Sequence, residues 1–275
     1  MFKAKLKDAK FVKGLFEVVT SIISESRLKV DPVKGLFMTS MDGSHICCVD
    51  LHLAKEDFDE FECSEPLEMG LNFIDLLKIL KRTGPTDAVH FASDDAKKRF
   101  LIEFKSESSK KTRKFNIAMI DNESEEINME SLNGMQYPNQ CSLNVSMIDD
   151  ALKDAEIFSE VLSIKVKDKL IFSTEGTIGD MEFVLEKDEL ADASFTAESE
   201  GFFAIQFLKN IIKTGALVST TQLGLGHEMP FNAKFKLLEH SQIQFFQAPR
   251  VEEDTDAQYQ VPESNTGGHT ETPDQ

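Results

Sequence analysis

Asp42, Ser44 and His45 fall within one short run, Ser40-Met41-Asp42-Gly43-Ser44-His45-Ile46, and they are the residue types of a hydrolytic triad. A triad works only if carboxylate, imidazole and hydroxyl converge, so that the proton can pass from one to the next. Near-neighbours on a strand do not converge, because successive side chains leave opposite faces of the sheet. The run therefore does not read as a catalytic centre. His52, His90, His227, His240 and His269 are scattered, and the chain holds neither a Gly-x-x-x-x-Gly-Lys phosphate loop nor a His-Glu-x-x-His metal pair. Cys47, Cys48, Cys63 and Cys141 are too few and too irregular for a disulfide framework or zinc knuckles, and they read as buried thiols in a reducing compartment. No catalytic residue, metal site or cofactor is expected, and the chain does not read as an enzyme.

The elements around these residues follow two periodicities. Phe11, Val12, Leu15, Phe16, Val19, Ile22 and Ile23 recur at helical spacing and form a stripe that must be buried against a sheet. Phe73, Ile74, Leu76, Leu77 and Leu80 repeat that pattern up to Gly84, where a helix would end. In the second half Ile148, Ala151, Leu152, Ala155 and Phe158 trace a third apolar face with Ser146 as expected N-cap, and a fourth helix is expected over Phe203 to Thr214. Strand-like runs occupy Phe2 to Leu6, Leu36 to Met41, Ile46 to Leu53, Val89 to Phe104, Lys114 to Met119, Val161 to Val166, Lys169 to Thr174 and Met181 to Leu185. The same order of elements occurs twice. With 275 residues of which 41% are hydrophobic, that repetition predicts an α+β fold of two similar domains of antiparallel sheet, each with two short helices.

The expected boundaries are 1–118 for the first domain, 119–137 for an interdomain connector, 138–251 for the second domain and 252–275 for an acidic disordered tail. The tail has seven acids and no Lys or Arg, which leaves −11 of the −18 formal charge on the body. No run of about 18 apolar residues is present, and Met1 to Leu6 lacks the apolar stretch of a secretory signal. An intracellular protein without a membrane partner is expected, nuclear if eukaryotic and cytoplasmic if archaeal.

Against this acidic background, the helices carry Lys10 and Lys13, Lys78, Lys81 and Arg82, Lys153, and Lys209 and Lys213 opposite their apolar stripes. Should the four helices share a surface, these cations would tolerate duplex DNA without reading its sequence. Lys13, Lys78, Lys81, Arg82, Lys153, Lys209 and Lys213 are the expected DNA-facing residues. Asp149, Asp150, Asp154 and Glu156 make the third helix the weak member of the set.

The run Ser40 to Ile46, Phe245-Phe246-Gln247-Ala248-Pro249-Arg250, Met69-Gly70-Leu71-Asn72, Lys78-Ile79-Leu80-Lys81 and Val218-Ser219-Thr220 together resemble DNA sliding clamps of the proliferating cell nuclear antigen (PCNA) type. The resemblance extends from Met1 to about Glu253. It implies a homotrimeric ring with helices lining the hole, which encircles DNA as a processivity factor in replication and repair. The implied partners are duplex DNA, DNA polymerase, a clamp loader and client proteins carrying PCNA-interacting peptides. A subunit of a heterotrimeric or checkpoint-type clamp is the alternative within the same fold. By resemblance, the client peptide would meet Met41, His45, Ile46, Cys48, Ile127, Met129, Pro230, Phe246, Gln247, Ala248 and Pro249. Gln247 stands where the family usually has an apolar residue. Also by resemblance, neighbouring subunits would pair the edge carrying Arg113, Lys114, Phe115 and Ile117 with the edge carrying Asp180, Glu182 and Glu186.

Overall fold

Short amphipathic helices alternate with runs of strands, and the order repeats. The structure, a computed structural model, describes residues 1–106, 110–121 and 127–250. The N-terminal half runs β1 (Phe2–Leu6), α1 (Ala9–Thr20), β2 (Glu25–Asp31), β3 (Gly35–Met41), β4 (Cys47–Leu53), β5 (Glu60–Cys63), β6 (Leu67–Asn72), α2 (Phe73–Leu80), β7 (Asp87–Asp94), β8 (Arg99–Ser106) and β9 (Thr112–Ala118). A short helix, α3 (Met129–Asn133), follows in the segment between the halves. The C-terminal half runs β10 (Asn139–Asn144), α4 (Val145–Ala155), β11 (Val161–Val166), β12 (Leu170–Gly176), β13 (Gly179–Leu185), β14 (Ala191–Phe195), β15 (Ser199–Ala204), α5 (Ile205–Ile212), β16 (Thr220–Leu225), β17 (Phe231–Lys236) and β18 (Gln242–Gln247). The expected acidic tail lies outside the described residues. Among those residues, no helix is long and apolar enough to cross a membrane.

α1, α2 and α4 start where short polar side chains can satisfy free backbone amides, whereas α5 follows Ala204 with no side-chain cap. The Asp8 carboxylate accepts from the Phe11 amide at 2.9 Å, and Asn72 Oδ1 accepts from the Asp75 amide at 3.0 Å. The third amphipathic helix, α4, corrects the expectation of a Ser146 cap. Asn144 caps it instead, with its Oδ1 accepting from both the amide (3.0 Å) and the hydroxyl (2.8 Å) of Ser146. The cap sits earlier because Val145, 4% exposed, is drawn into the core as the first helical residue. At the other end of α1, Thr20 and Ser21 hydroxyls bond back to the Phe16 (2.6 Å) and Val18 (2.7 Å) carbonyls, which supports the last turn.

Four helices form one layer. α1 meets α2 through Phe16 and Phe73, whose rings sit edge to face at 5.6 Å. α1 meets the C-terminal half through Asn210 Nδ2, which donates to the Ser21 carbonyl at 3.1 Å. Gly14 permits that approach, since a Cβ there would lie 2.8 Å from Leu217 Cδ2. α5 meets α4 through Lys209 and Glu156. The layer order is therefore α2, α1, α5, α4.

Behind the helices lie three antiparallel sheets, in the orders β5-β1-β7-β8-β9, β14-β10-β16-β17-β18-β4-β3-β2-β6 and β13-β12-β11-β15. The nine-stranded sheet crosses between the halves where β18 pairs with β4, from Gln242 opposite His52 to Gln247 opposite Cys47. β9 and β13 are edge strands of the two smaller sheets, as β5 and β15 are at their other ends, and β14 and β6 end the nine-stranded sheet.

The internal repeat can be followed residue by residue. In the N-terminal half Phe37 opposes Lys29, which opposes Glu68, and in the C-terminal half Ile171 opposes Lys165, which opposes Glu200. The two equivalent Lys–Glu pairs form the same ion pair, at 3.3 Å and 3.1 Å.

Candidate functional site

The first run singled out in the sequence is a tight β3–β4 connection organised by Asp42. The Asp42 carboxylate, 7% exposed, accepts from the amides of Ser44 (2.8 Å), Ile46 (2.7 Å) and Cys47 (2.6 Å). His45 takes a left-handed conformation (φ 56°) and donates its amide to the Asp42 carbonyl at 2.9 Å. Asp42 is thus a structural anchor that sets where Met41 and Ile46 point. Asp42→Ala removes three charge-assisted bonds and should cost on the order of 3 kcal/mol of stability, read as a lowered midpoint in urea unfolding.

The two ends of the chain that share the family resemblance are hydrogen-bonded neighbours. Phe246 opposes Cys48 and Gln247 opposes Cys47, and the Ala248 amide donates to the Ile46 carbonyl at 2.8 Å. Met41, Cys48, Phe246 and Asn232 form one cross-strand row over β3, β4, β18 and β17. Cys48 and Phe246 are buried at 1% and 3%. Met41, Ile46, Pro230, Ala248 and Pro249 are half-buried and His45 is exposed, so an apolar rim surrounds a closed floor.

Gln247 departs from its expected place in this group. Strand alternation turns its side chain away from Phe246, and its Nε2 donates to the Ala204 carbonyl at 3.1 Å, ahead of α5. It is 0% exposed, and it reaches the rim only through its backbone. Burial also pushes the Cys48 and Cys141 thiols up to about 12. Cys63 corrects the reading of four buried thiols: it is half-buried, and its Sγ donates to the Glu65 carbonyl at 3.0 Å.

Next to the apolar row is a polar one, in which Thr39 opposes Asp50, Asp50 opposes Gln244 and Gln244 opposes Lys234. The Thr39 hydroxyl donates to Asp50 at 2.6 Å. Burial holds the Asp50 carboxyl above its ordinary 3.8, against the opposing effects of Thr39, His52 and Lys234. A carboxyl with a raised folded pKa favours the fold while protonated, and that contribution is lost as pH rises through the folded value. Asp50→Asn should therefore raise the melting temperature at pH 7, with the difference from wild type shrinking as pH falls to about 4 and below; melting curves across pH test this.

The connector holds residues that the sequence reading missed. Asn128 caps α3 by accepting from the Ser131 amide at 3.0 Å. Leu132, Met135 and Tyr137 then line a cleft of about 370 Å³ against Gly224, Asn232 and Gln244. Tyr137 lies so close to β16 that a Cβ on Gly224 would come within 2.8 Å of its ring. Ile127 and Met129, the expected connector contacts, are half-buried at the start of the same segment. The Asn128 cap and the spacing of Met129, Leu132 and Met135 were the available signal.

All seven expected DNA-facing residues lie on the helical layer or its ends, but they are not equally available. Lys13 reaches Glu17 at 3.9 Å and Lys78 reaches Asp75 at 2.9 Å. Lys153 is held by Asp149 (2.5 Å) and Asp150 (3.6 Å), and Lys209 meets both Glu156 oxygens (2.7 and 2.6 Å). Lys81, Arg82 and Lys213 have no carboxylate partner among the described residues; Lys213 donates to Asn210 Oδ1 at 2.7 Å.

The expected edge residues also divide. Lys114 is 76% exposed and reaches Glu103 only at 3.8 Å, whereas Phe115 and Ile117 are half-buried on the opposite face of β9. Arg113 is committed within the chain: it pairs with the buried Asp87, donates to the Arg82 carbonyl and lies 5.3 Å from the Phe104 ring centre. On β13, Asp180 and Glu182 are exposed while Met181 and Phe183 are half-buried. Glu186 lies past the end of β13 and accepts from Lys169 at 3.4 Å.

The family model described as "Proliferating cell nuclear antigen, N-terminal domain" matches residues 1–127, and "Proliferating cell nuclear antigen, C-terminal domain" matches residues 132–250. The "DNA polymerase sliding clamp" of Methanothermobacter thermautotrophicus is 30% identical over 254 residues, covering 92% of this chain and 99% of that protein. The "DNA polymerase sliding clamp" of Methanobrevibacter smithii is 27% identical, covering 92% and 100%. "Proliferating cell nuclear antigen 1" of Plasmodium falciparum is 25% identical over 273 residues, covering 93% and 99%.

Proposed function

The chain belongs to the proliferating cell nuclear antigen family, and from that membership we propose that three copies close head to tail into a ring around duplex DNA. It acts as a DNA polymerase sliding clamp, a processivity factor, and the relatives' names favour this role over a checkpoint-type clamp. The ring holds DNA by topology and its protein clients by contact, and the chain's own residues perform no chemistry.

The observation that carries the three-chain reading is the internal repeat. Within the chain, β18 of the second half pairs with β4 of the first. Lys114 connects through Glu103 and His90 to Lys5, as Gln244 connects through Lys234 and Gln222 to Ser142, so β9 is the counterpart of β18. His52 connects through Phe37 to Lys29, as Val184 connects through Ile171 to Lys165, so β13 is the counterpart of β4. The free edges β9 and β13 are therefore the same two edges that already join inside the chain. Repeating the junction between chains is heterologous, and it closes when the rotation per chain divides a full turn.

The proposed contact takes its register from the repeat. Gln244 opposite Asp50 becomes Lys114 opposite Glu182, and Phe245 opposite Val49 becomes Phe115 opposite Met181. Where the internal junction has an amide beside an acid, the junction between chains has opposite charges over an apolar pair.

In such a ring the sheets face outward and the helical layer faces the duplex. The rim of Met41, Ile46, Pro230, Ala248 and Pro249, with Ile127 and Met129 on the connector, would receive the apolar plug of a client peptide. The clients are polymerase, clamp loader and other replication and repair proteins. The compartment would be the nucleus in a eukaryote and the cytoplasm in an archaeon.

Retention on DNA tests the proposal. A topological link predicts loss from linear duplex at moderate salt but persistence on circular duplex after loading, because few phosphate contacts hold it. Equal loss from both substrates would rule out the ring.

A further inference from the structure

The helical layer is divided electrostatically between the two halves of the chain. Counted with their caps, α1 and α2 through Arg82 carry five cations (Lys10, Lys13, Lys78, Lys81, Arg82) against three acids (Asp8, Glu17, Asp75), a balance of +2. The equivalent span on α4 and α5 carries three cations (Lys153, Lys209, Lys213) against four acids (Asp149, Asp150, Asp154, Glu156), a balance of −1. Geometry widens the gap. Lys10, Lys81 and Arg82 are exposed with no carboxylate partner among the described residues; in the C-terminal half Lys213 alone of the three cations shares that state, with its ammonium given to Asn210 Oδ1, whereas Lys153 lies between two aspartates and Lys209 meets both oxygens of Glu156.

A phosphate approaching Lys209 would have to displace a two-pronged ion pair and then sit beside the released Glu156 carboxylate. Lys153 presents the same problem twice, and Asp154 adds an acid one residue away. Exchange of a carboxylate for a phosphate on one lysine gains little, because the displaced acid then repels the phosphate it made way for. An unpartnered Lys or Arg, in contrast, releases only its hydration and counterions.

We propose that phosphate contact in the ring is made by the N-terminal half of each chain's helical layer, through Lys10, Lys81 and Arg82, and that α4 is an acidic sector that holds the duplex away. This rests on the ring reading above. Three chains would then line the hole with alternating basic and acidic sectors, and the duplex would lean on one basic sector at a time instead of being gripped on all sides. The arrangement suits a ring that must slide, since the acids of α4 weaken every competing contact.

Binding of the full-length chain to a short linear duplex, measured by fluorescence anisotropy over a salt series, tests this. Lys81→Ala with Arg82→Ala should weaken binding and flatten the dependence of log K on log salt by about 1.8, at about 0.9 per phosphate contact. Lys153→Ala with Lys209→Ala, combined with Asp149→Asn and Glu156→Gln so that the net charge is kept, should change affinity by less than about twofold. Asp149→Asn, Asp150→Asn and Glu156→Gln together should tighten binding several-fold and steepen the slope by releasing Lys153 and Lys209 from their carboxylates. All the substituted side chains are on the helical layer, and light scattering checks that assembly is unchanged. Losses from the Lys153/Lys209 variant equal to those from the Lys81/Arg82 variant would overturn the sector proposal while leaving the ring intact. A wild-type assembly with no duplex binding at low salt would also overturn the sector proposal, while the ring itself stands or falls on retention on circular against linear DNA.

Discussion

Met181→Arg separates the assembly into single chains. In the proposed ring Met181 stands opposite Phe115 of the adjacent chain, on the face where Phe115 packs on Phe104 at 5.3 Å. An arginine there buries a charge without a partner, on the order of 3 kcal/mol at each junction, which weakens association more than a hundredfold. Light scattering over a dilution series should show three times the 30.9 kDa chain mass for wild type and one chain mass for the variant. Glu182→Lys, set against Lys114, should weaken the assembly by only about 1 kcal/mol, and Lys114→Glu in the same chain should restore it. A Met181→Arg chain that keeps the assembled mass at every dilution would place the contact elsewhere.

The second large effect concerns clients. Met41→Ala with Ile46→Ala truncates the two half-buried apolar side chains that flank the Asp42-organised turn. Truncating an anchor of this kind costs about 2 kcal/mol or more, so the pair should weaken binding of a plug-bearing client peptide at least a hundredfold, while the assembled mass stays the same. The floor explains why no deep collapse is expected: Cys48 and Phe246 remain sealed beneath the rim at 1% and 3% exposure. Unchanged peptide affinity would move the site to the cleft under Leu132, Met135 and Tyr137.

The elements of this chain differ widely in how legible they are in its sequence. The stripe Val12, Leu15, Phe16 and Val19 announced α1, because a 3.6-residue period has no other outlet in a chain that buries it. The third amphipathic helix was legible but its cap was not: Ser146 and Asn144 are both good caps, and only the burial of Val145 decides between them. Polar composition hid α3, although Asn128 and the spacing of Met129, Leu132 and Met135 were present. Resemblance groups Gln247 with Phe246, while the two-residue period of a strand places them on opposite faces.

Electrostatics was legible only where it was local. Lys153 sits four residues from Asp149, a spacing that any helix brings together, and the acidic excess around it could be seen in the sequence. Lys209 and Glu156 are 53 residues apart, and their pairing exists only because α5 packs beside α4. Arg113 looked like a free interface cation until the fold set Asp87 beside it. The register between β9 and β13 could not be read at all without the pairings inside each half, because sequence identity between the halves is weak and the repeat lies in the ladders.

Cysteine cross-linking of Lys114→Cys with Glu182→Cys in one chain, with Cys63→Ser removing the half-buried thiol, tests the head-to-tail ring most directly. Directly opposed residues of an antiparallel pair have Cα atoms about 4.5–5.5 Å apart, within the span of a disulfide. Mild oxidation should give a closed covalent trimer on a non-reducing gel, and neither single cysteine should cross-link. Covalent dimers formed by either single-cysteine chain would mean like edges pairing with like, and would contradict the head-to-tail ring.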